Sequence, residues 1–443
     1  MQTLFATSGI RGDAESLLTN QFCFDVGRAF AIFLKNNNQK NKAAIGMDPR
    51  PSSSRIQKAV MSGLIKEGIE VTNEGITPIP SMNYILLADK TFGGSIMITG
   101  SHIKSHLNGI KFFIFEEELL KKDELEIDKI YFDLKEKVSF EEKEIPQPQQ
   151  NALNFYKKHL MKLASVPYPN WKVVVDTGNG AQTMVIPSLF RELGIEIIPV
   201  NNSLDQQILS RDTEDAKEFQ SLMDKVKEVS ADFGVAYDSD GDRTVFVNEN
   251  GEYIPGDYSA SLIAKEAQGD TIVTPISTSQ VIDNIRKNVV RTKVGSPQVS
   301  AKMKEINAHF GFEANGGGIF KDMLSRDGGR TSIEVLNILK AHNKKLSELI
   351  AELPKFYNYK DKVDYKWELK DKIINDAREN FKGIKVEELD GLKIWIDEKT
   401  WILFRSSGNA PEFRVFAESN EDQKAKDLLK KGIDFVNQII SSN

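Results

Sequence analysis

The sequence predicts an α/β protein with three similar mixed-sheet units followed by a smaller C-terminal α+β section. Apolar stretches of strand length alternate with amphipathic stretches of helix length to about residue 355. This alternation is typical of domains with a parallel or mixed sheet. From about Phe356 the pattern changes to a charged stretch, a pair of strands and a final helix, which suits an α+β domain. The length of 443 residues is enough for about three domains.

The first unit repeats the strand–helix alternation. Residues 22–37 carry apolar side chains at helical spacing. Residues 42–53 indicate a strand that ends in a polar turn, where Ser52–Ser54 are candidates to cap the next helix. The pattern recurs, and residues 93–102 form another buried strand that ends in a loop. Because ligands bind beyond the carboxyl ends of strands in such sheets, Ser101 lies where a ligand is expected.

The remaining units follow the same order of elements. The polar stretch Glu141–Asn151 marks a boundary or a connection into a helix. Residues 171–201 predict a strand, a loop, a helix and a second strand, and residues 232–257 close this unit. A third unit begins near Ser259. In the last section, Asp397–Thr400 is the predicted turn of a hairpin.

Composition excludes several classes of protein. The net charge is -6, and no region concentrates basic charge as a nucleic-acid binder requires. Cys23 is the only cysteine, so an intrachain disulfide is excluded and a small buried hydrophobe is favoured. No apolar run approaches the roughly 20 residues of a membrane span, and the first residues do not have the pattern of a signal peptide. We therefore expect a cytoplasmic protein without nucleic-acid or membrane partners.

The loop Thr99–Lys111 is the first candidate site. Ser101 stands beside His102, but a catalytic triad depends on proximity in space, and the nucleophile-elbow motif is absent. Ser101 is instead a candidate to carry a phosphoryl group, with His102, Lys104 and Lys111 as counter-charges. Taken alone, the loop fits a polar strand-to-loop turn equally well.

Three alternating aspartates, Asp238, Asp240 and Asp242, form the second candidate site. A helix–loop–helix calcium site is excluded because Arg243 occupies the sixth position, where that loop requires glycine. Three carboxylates with open coordination positions suit Mg²⁺, with a phosphate oxygen completing the shell. An acidic turn without a cation is the weaker interpretation, because the carboxylates repel one another. Arg243 would pair with a carboxylate or reach a substrate phosphate.

Two later loops are candidate substrate sites. Within Glu313–Gly317, a carboxylate and an amide precede three glycines, which suits binding of sugar hydroxyls, although a glycine-rich turn is the commoner cause. Within Arg405–Arg414, an arginine, two serines, a glycine and an asparagine offer donors for a phosphate. A simple Gly/Asn turn explains this second loop equally well when it is taken alone.

Taken in order, these four sites resemble the α-D-phosphohexomutase family, which includes phosphoglucomutase, phosphomannomutase and phosphoglucosamine mutase. The segments SGIRG at Ser8–Gly12, VVVDTGNGA at 173–181 and RTKVG at 291–295 also match. The resemblance covers nearly the whole chain and implies four domains around a central cleft, each supplying one loop. The domains it implies are residues 1–148 with the phosphoserine loop, 149–254 with the metal-binding loop, 255–355 with the sugar-binding loop, and 356–443 with the phosphate-binding loop.

The resemblance implies an isomerase that interconverts hexose 1-phosphates and 6-phosphates through a phosphoserine and a bisphosphorylated sugar. It favours glucose or mannose phosphates, with glucosamine phosphate as the alternative. Mg²⁺ and a sugar 1,6-bisphosphate are the expected cofactors, a sugar phosphate is the expected partner, and the expected assembly is a monomer or homodimer. The implied catalytic residues are Ser101, His102, Lys111 and Arg11; the implied metal ligands are Ser101, Asp238, Asp240 and Asp242; and the implied substrate-binding residues are Arg243, Glu313, Asn315, Arg405, Ser407, Gly408, Asn409 and Arg414.

Some positions depart from the family pattern. Ile103 and Lys104 stand where Asn-Pro commonly follows the Ser-His pair, and Asn315 and Gly317 replace a serine and a histidine of the sugar loop. Two alternatives therefore stay open. One is a Mg²⁺-dependent sugar-phosphate phosphatase, in which water takes the phosphoryl group, and the other is an inactive sugar-phosphate binder.

Overall fold

The structure is a computed structural model that describes residues 3–5, 9–114, 117–408 and 411–442. Its first sheet has the strand order β1-β5-β4-β2-β3, with β6 paired to β5. The elements are β1 (Ile10–Asp13), α1 (Asn20–Asn36), β2 (Lys42–Met47), α2 (Ser53–Lys66), β3 (Glu70–Ile76), α3 (Ile79–Ala88), β4 (Gly94–Ile98), β5 (Leu107–Ile114), β6 (Glu117–Glu118) and α4 (Lys121–Leu134). Strands β2, β3 and β4 are parallel, whereas β5 and β1 run antiparallel to their neighbours.

The second sheet has the order β11-β10-β9-β7-β8. Its elements are α5 (Asn151–Leu163), β7 (Lys172–Asp176), α6 (Ile186–Glu192), β8 (Glu196–Val200), α7 (Gln220–Glu228), β9 (Phe233–Tyr237), β10 (Thr244–Asn248) and β11 (Tyr253–Ile254). The predicted strand–loop–helix–strand order of this unit is confirmed, and the polar stretch before it leads into α5 as expected.

The third sheet has the order β13-β12-β14-β15-β16. Its elements are α8 (Gly256–Glu266), β12 (Thr271–Pro275), β13 (Asn288–Thr292), α9 (Ser296–Ile306), β14 (Phe310–Phe312), β15 (Gly318–Phe320), β16 (Met323–Arg326), α10 (Gly328–His342) and α11 (Leu346–Ala351). Short 3₁₀ helices complete the chain at Ala181–Met184, Ala216–Phe219, Gln280–Asn284 and Trp367–Leu369.

The fourth sheet is fully antiparallel, with the order β17-β21-β20-β19-β18. Its elements are β17 (Tyr357–Asp364), α12 (Lys370–Asn380), β18 (Lys385–Glu387), β19 (Leu392–Asp397), β20 (Thr400–Ser406), β21 (Glu412–Ser419) and α13 (Asp422–Ser441). The hairpin turn at Asp397–Thr400 is confirmed. The prediction of a strand pair is wrong, because the sheet has three strands besides β19 and β20. The segment after β20 forms β21, and the charged stretch supplies the edge strand β17 and the short strand β18.

The first three sheets place their candidate loops at equivalent positions. Strands β4, β9 and β14 each pair in parallel with one neighbour and are each followed by an antiparallel strand. The candidate loops are the connections β4–β5, β9–β10 and β14–β15. The predicted α/β class with three similar mixed-sheet domains and a smaller fourth domain is therefore confirmed.

A serine stands at the start of α2, as predicted. Ser52 occupies the N-cap position, but its side chain makes no capping hydrogen bond to the helix. The Oγ of Ser52 instead accepts a hydrogen bond from Asn108 Nδ2 at 2.9 Å, and Ser53 Oγ donates to Asp48 Oδ1 at 2.7 Å. These serines therefore connect the start of α2 to the strands beside it.

The apolar cores join the second and third units. One cluster of buried apolar side chains runs from Leu153 to Leu353 and includes residues of both sheets. Most of the first sheet packs on a separate cluster, and the fourth sheet has its own core with α12 and α13. Cys23 is fully buried in the first core, as expected for a small hydrophobe. Among the described residues, no helix combines the length and apolar character needed to cross a bilayer.

A buried polar junction links the third unit to the fourth. Lys393 is 1% exposed, donates a hydrogen bond to the carbonyl of Ile276 at 2.9 Å, and lies 3.7 Å from the ring centroid of Trp401. The Glu418 carboxylate accepts hydrogen bonds from Gln280 N at 2.9 Å and from Trp401 Nε1 at 2.8 Å. Hydrogen bonds of two buried ionisable side chains therefore help to join the fourth domain to the third.

The free energy of unfolding should depend on pH through Asp257, which lies at this junction. Its Oδ1 accepts a hydrogen bond from Ser279 N at 3.2 Å, and burial, reinforced by Glu418, raises the pKa of Asp257 from 3.8 to about 7. A raised pKa means that the folded state binds the proton more tightly, so this contribution to stability is complete below about pH 4 and is lost as pH rises through about 7.

In the variant Asp257→Asn, the side chain at position 257 cannot ionise. The difference in free energy of unfolding between the variant and the native protein should therefore change with pH. It should shift in favour of the variant by roughly 1–4 kcal/mol between about pH 4 and about pH 8, since one pKa unit corresponds to about 1.4 kcal/mol. Denaturant unfolding of both proteins across this range measures the difference. A difference that stays constant with pH contradicts the expectation.

Candidate active site

The first two candidate loops contact each other directly. Ser101 Oγ lies 3.3 Å from Asp238 Oδ2, within hydrogen-bonding distance. Thr99 Oγ1 lies 3.0 Å from Asp240 Oδ2, and Ser239 Oγ donates to the Ser101 carbonyl at 2.5 Å. The serine loop after β4 and the acidic loop after β9 thus form one site between the first and second sheets.

Ser101 has an unusual backbone conformation. Its φ is +51°, in the left-handed region that non-glycine residues rarely adopt, and the residue is 0% exposed. Such a conformation costs on the order of 1–2 kcal/mol and persists only where surrounding contacts hold it. One of these contacts is the hydrogen bond that Ser101 N donates to Thr99 Oγ1 at 2.9 Å. Residues held in this way cluster at functional sites.

The three aspartates of the second loop converge on one point. A carboxylate oxygen from each of Asp238, Asp240 and Asp242 lies within 4.8 Å of the others, and all three residues are buried. The turn depends on Gly241, whose φ is +72°, because a Cβ there would lie 2.5 Å from Gln182 Cγ. In an extended strand, alternate side chains share one face but do not converge on a point, so the turn is needed to bring these carboxylates together.

The carboxylate triad has unsatisfied oxygens. Asp240 Oδ1 and Asp242 Oδ1 are buried and accept no hydrogen bond from any residue that the structure describes. Burial, together with Asp240 and Asp242, raises the pKa of Asp238 well above its usual value. Burial also acts to raise the pKa of Asp242, but Arg326 and Lys111 outweigh it and hold that pKa below its usual value. Converging buried oxygens without donors suit a hard divalent cation such as Mg²⁺.

Basic side chains surround the triad. Lys111 Nζ lies 3.9 Å from Asp240 Oδ2 and 3.8 Å from Asp242 Oδ2, and it is buried without a hydrogen-bond partner in the described part of the chain. Arg243 Nε lies 3.7 Å from Asp238 Oδ2 and 3.8 Å from Asp242 Oδ1. Burial lowers the pKa of Arg11, although Asp240 opposes this effect. The structure therefore brings three predicted basic residues to the predicted acidic loop.

His102 faces the same serine. Its Nδ1 lies 3.3 Å from Ser101 Oγ. Arg243, burial and Arg11 hold the pKa of His102 far below its usual value. A neutral imidazole can accept a hydrogen bond at Nδ1, so His102 is suited to orient the serine hydroxyl rather than to supply positive charge.

Arg326 is a site residue that the sequence analysis missed. It ends β16, and its guanidinium donates to Asp242 Oδ2 at 2.7 Å and to Glu313 Oε2 at 3.0 Å. The other Glu313 oxygen accepts from Gly295 N at 3.0 Å. Asn315 Oδ1 lies 3.4 Å from Gly317 N. The third loop is thus tied to the acidic loop by an arginine for which neither spacing nor motif gave a signal.

Replacing Arg326 should destabilise the protein strongly. In Arg326→Met, two buried carboxylates lose their shared counter-charge, and removing one partner from a buried ion pair typically costs about 3–5 kcal/mol. Denaturant unfolding measures this loss. The matched control is Arg378→Met, which breaks an exposed ion pair with Glu388 and should change stability little. Equal effects of the two substitutions would contradict a buried bridge.

The fourth loop makes ion pairs within its own domain. Arg405 Nε donates to Asp390 Oδ2 at 2.7 Å, and Arg414 donates to Glu412 Oε2 at 3.2 Å. The two arginines lie opposite each other on β20 and β21. Asp390 Oδ2 also accepts a hydrogen bond from Val294 N of the third domain at 3.0 Å. This loop is therefore joined to the third domain through Asp390, whereas the acidic loop contacts the serine loop directly and is joined to the third loop through Arg326.

The tip of the fourth loop is described only in part. Ser407 is buried, and its backbone N–H donates to the Glu412 carbonyl at 2.8 Å. Gly408 is exposed. Asn409, a predicted phosphate ligand, lies outside the described residues.

Comparisons with known proteins agree across the chain. Residues 2–138, 154–251 and 255–357 match the α/β/α domains I, II and III of phosphoglucomutase/phosphomannomutase. A phosphoglucomutase/phosphomannomutase of Thermococcus kodakarensis is 35% identical over 460 residues, covering 99% of this chain and 100% of that protein. A phosphoglucosamine mutase of Methanocaldococcus jannaschii is 33% identical over 469 residues, covering 100% of both chains.

The fold is also shared with a solved structure. The phosphoglucomutase/phosphomannomutase family protein of Burkholderia thailandensis superposes with a TM-score of 0.84 at 24% identity, covering 100% of this chain and 98% of that one. A match of this extent covers all four sheets. Together with the domain and sequence matches, it shows that the chain belongs to the α-D-phosphohexomutase family and is a phosphomutase, an enzyme of the isomerase class.

Proposed function

We propose that the protein interconverts hexose 1-phosphates and 6-phosphates through a phosphorylated Ser101 and a bisphosphorylated sugar. The observation that carries this proposal is the position of the Ser101 hydroxyl, 3.3 Å from Asp238 in a triad of converging carboxylates. A nucleophilic hydroxyl beside a hard-cation site and several basic groups suits phosphoryl transfer, which depends on positioning and charge neutralisation.

Asp238, Asp240 and Asp242, with an oxygen of the phosphorylated Ser101, would hold the metal. Their buried oxygens without donors support this assignment. A bound Mg²⁺ supplies charge neutralisation at the transferring phosphoryl group. Arg11 and Arg243 add positive charge on the protein side, where arginine's planar fork suits phosphate oxygens.

Lys111 is the proposed general acid/base. Its Nζ is buried beside the triad and has no hydrogen-bond partner among the described residues, so its protons can engage a sugar hydroxyl or phosphate oxygen. His102, 3.3 Å from Ser101 Oγ, would orient the hydroxyl that receives the phosphoryl group. The two side chains thus take separate tasks, one acting on the substrate and one on the serine.

Two loops would hold the sugar phosphate. Glu313 and Asn315 are the proposed contacts to sugar hydroxyls, and the Glu313 carboxylate has acceptor capacity beyond its hydrogen bonds from Arg326 and Gly295 N. The proposed contacts to the non-reacting phosphate belong to the fourth loop and are Arg405, Ser407, Gly408, Asn409 and Arg414. A distal phosphate site lets either end of a bisphosphorylated sugar face Ser101 in turn, and this exchange requires precise positioning.

The buried position of the site favours transfer to a sugar over transfer to water. Ser101 and the three aspartates are 0% exposed, so the domains must separate to admit a substrate and close again before transfer. Closure excludes water from the phosphoryl group. This favours a mutase over the Mg²⁺-dependent phosphatase that the sequence left open, and the intact serine and triad disfavour an inactive binder.

The substrate is a hexose phosphate, and we propose glucose or mannose phosphate, with glucosamine phosphate as the alternative. Relatives of similar identity are named for both choices. The test supplies Mg²⁺, a trace of glucose 1,6-bisphosphate, and the 1-phosphates of glucose, mannose, glucosamine and N-acetylglucosamine in turn. We expect 6-phosphate without free phosphate, and faster turnover when the bisphosphate is present. Free phosphate without the isomer would overturn the mutase proposal in favour of a phosphatase.

A further inference from the structure

Arg50 follows β2 and reaches beneath the Ser101 loop. Its side chain is fully buried. One terminal nitrogen donates to the carbonyls of Lys104 at 2.9 Å and Leu107 at 3.2 Å, and the other donates to the carbonyl of Ser101 at 2.5 Å. The Nε donates to Asp48 Oδ2 at 3.0 Å. One guanidinium thus binds three carbonyls of the loop.

Asp48 holds this guanidinium and the strand end in place. Its Oδ1 accepts from Ser53 Oγ at 2.7 Å, and its Oδ2 accepts from Thr99 Oγ1 at 2.8 Å and from Gly100 N at 3.3 Å. The same Thr99 hydroxyl lies 3.0 Å from Asp240 Oδ2. A continuous set of polar contacts therefore runs from the start of α2 to the acidic triad.

The backbone of the loop is shaped to accept Arg50. A Cβ at Gly100 would lie 2.6 Å from Arg50 Cζ, so only glycine leaves room for the guanidinium. The next residue, Ser101, has the left-handed φ of +51°, and its carbonyl receives hydrogen bonds from Arg50 and Ser239. These two donors fix the peptide that sets the direction of the serine side chain.

Resting on the proposed function, we propose that Arg50 is a positioning residue that holds Ser101 Oγ in line for phosphoryl transfer. Arg50 acts through the backbone, so the unusual side chains of Ile103 and Lys104 do not disturb it; the Lys104 side chain is exposed while its carbonyl is bound. A lysine in place of Arg50 would keep the charge but lose the planar fork that reaches several acceptors at once.

The test compares Arg50→Lys with Arg55→Lys. Arg55 is the matched control, because its guanidinium also binds backbone carbonyls of the first domain, at Leu18 and Ala14, but not those of the Ser101 loop. For Arg50→Lys we expect kcat to fall about 10²-fold with KM for the sugar phosphate nearly unchanged, since small misplacements of reacting groups cost about that much. Arg55→Lys should leave both constants unchanged.

A second readout does not depend on turnover. In Arg50→Lys, amide hydrogen exchange at residues 102–107 should become faster, while the rest of the first sheet keeps its protection. If the native protein turns over no sugar phosphate, the mutase proposal fails, and the exchange readout alone then decides whether Arg50 holds the loop. The proposal is overturned if loop exchange is unchanged, or if Arg50→Lys raises KM without lowering kcat. If Arg50→Lys does not fold, Gly100→Ala takes its place. The results that support or overturn the proposal are then the same as those given for Arg50→Lys.

Discussion

Replacing Ser101 with alanine should abolish turnover of sugar phosphates and leave the fold intact. The substitution removes the hydroxyl that would carry the phosphoryl group, so the rate should fall at least about 10³-fold. Alanine removes only one oxygen from a residue whose backbone is held by Arg50 and Ser239. Steady-state kinetics and denaturant unfolding of the same preparation measure the two effects separately.

The matched control is Ser105→Ala. Ser105 lies in the same loop but is partly exposed. It should retain the native rate, because nothing in the proposal assigns it a contact with the phosphoryl group. Activity retained by Ser101→Ala, or an equal loss in both variants, would remove Ser101 from its proposed role.

Replacing Asp240 with asparagine should separate metal binding from folding. In the native protein, Mg²⁺ should stabilise the folded state by about 2.7 kcal/mol when it is at roughly 100 times its Kd. In Asp240→Asn this stabilisation should disappear together with activity. The metal-free variant should remain folded, because Lys111 keeps its second carboxylate partner, Asp242 Oδ2 at 3.8 Å, when Asp240 loses its charge.

Thermal unfolding with and without Mg²⁺ measures both expectations. The control Asp224→Asn changes an exposed aspartate on α7 of the same domain and should keep the full response to Mg²⁺. A native protein whose unfolding temperature does not respond to Mg²⁺, or an Asp240→Asn variant that responds as the native protein does, would contradict the metal site.

The positions of the candidate loops could be predicted from the sequence because they follow buried strands. Ser101 is the third residue after the apolar strand β4, and Asp238 is the first residue after β9. Parallel strands with similar neighbours end at the same edge of a sheet, so their loops are natural sites for ligands. The alternating positions of the aspartates in the second loop then indicated a cation site, although the sequence does not show which residues surround that loop.

The two buried arginines could not be predicted in the same way. Arg50 and Arg326 lie 51 and 84 residues, respectively, from Ser101 and Asp242, to which they donate hydrogen bonds. Long flexible side chains reach partners that only the tertiary packing places beside them. An arginine in the sequence is most simply interpreted as a solvated surface residue, and nothing in its neighbours signals burial.

Strand β17 was missed for a different reason. Residues of this strand pair with β21 from Tyr357 to Asp364, yet half of its side chains are charged or exposed. An edge strand has one side without a partner, and proteins often place charges there to prevent association. Composition alone therefore suggests a solvated stretch, and the strand becomes evident only from its pairing.

The most direct test of the account is the fate of a phosphoryl group on Ser101. The protein is incubated with Mg²⁺ and glucose 1,6-bisphosphate, the Ser101 peptide is analysed by mass spectrometry, and a hexose monophosphate is then added. We expect one phosphoryl group on Ser101, which then leaves the protein and appears on the added sugar as a bisphosphorylated sugar. An unmodified Ser101 peptide, or a phosphoryl group released only as inorganic phosphate, would contradict it.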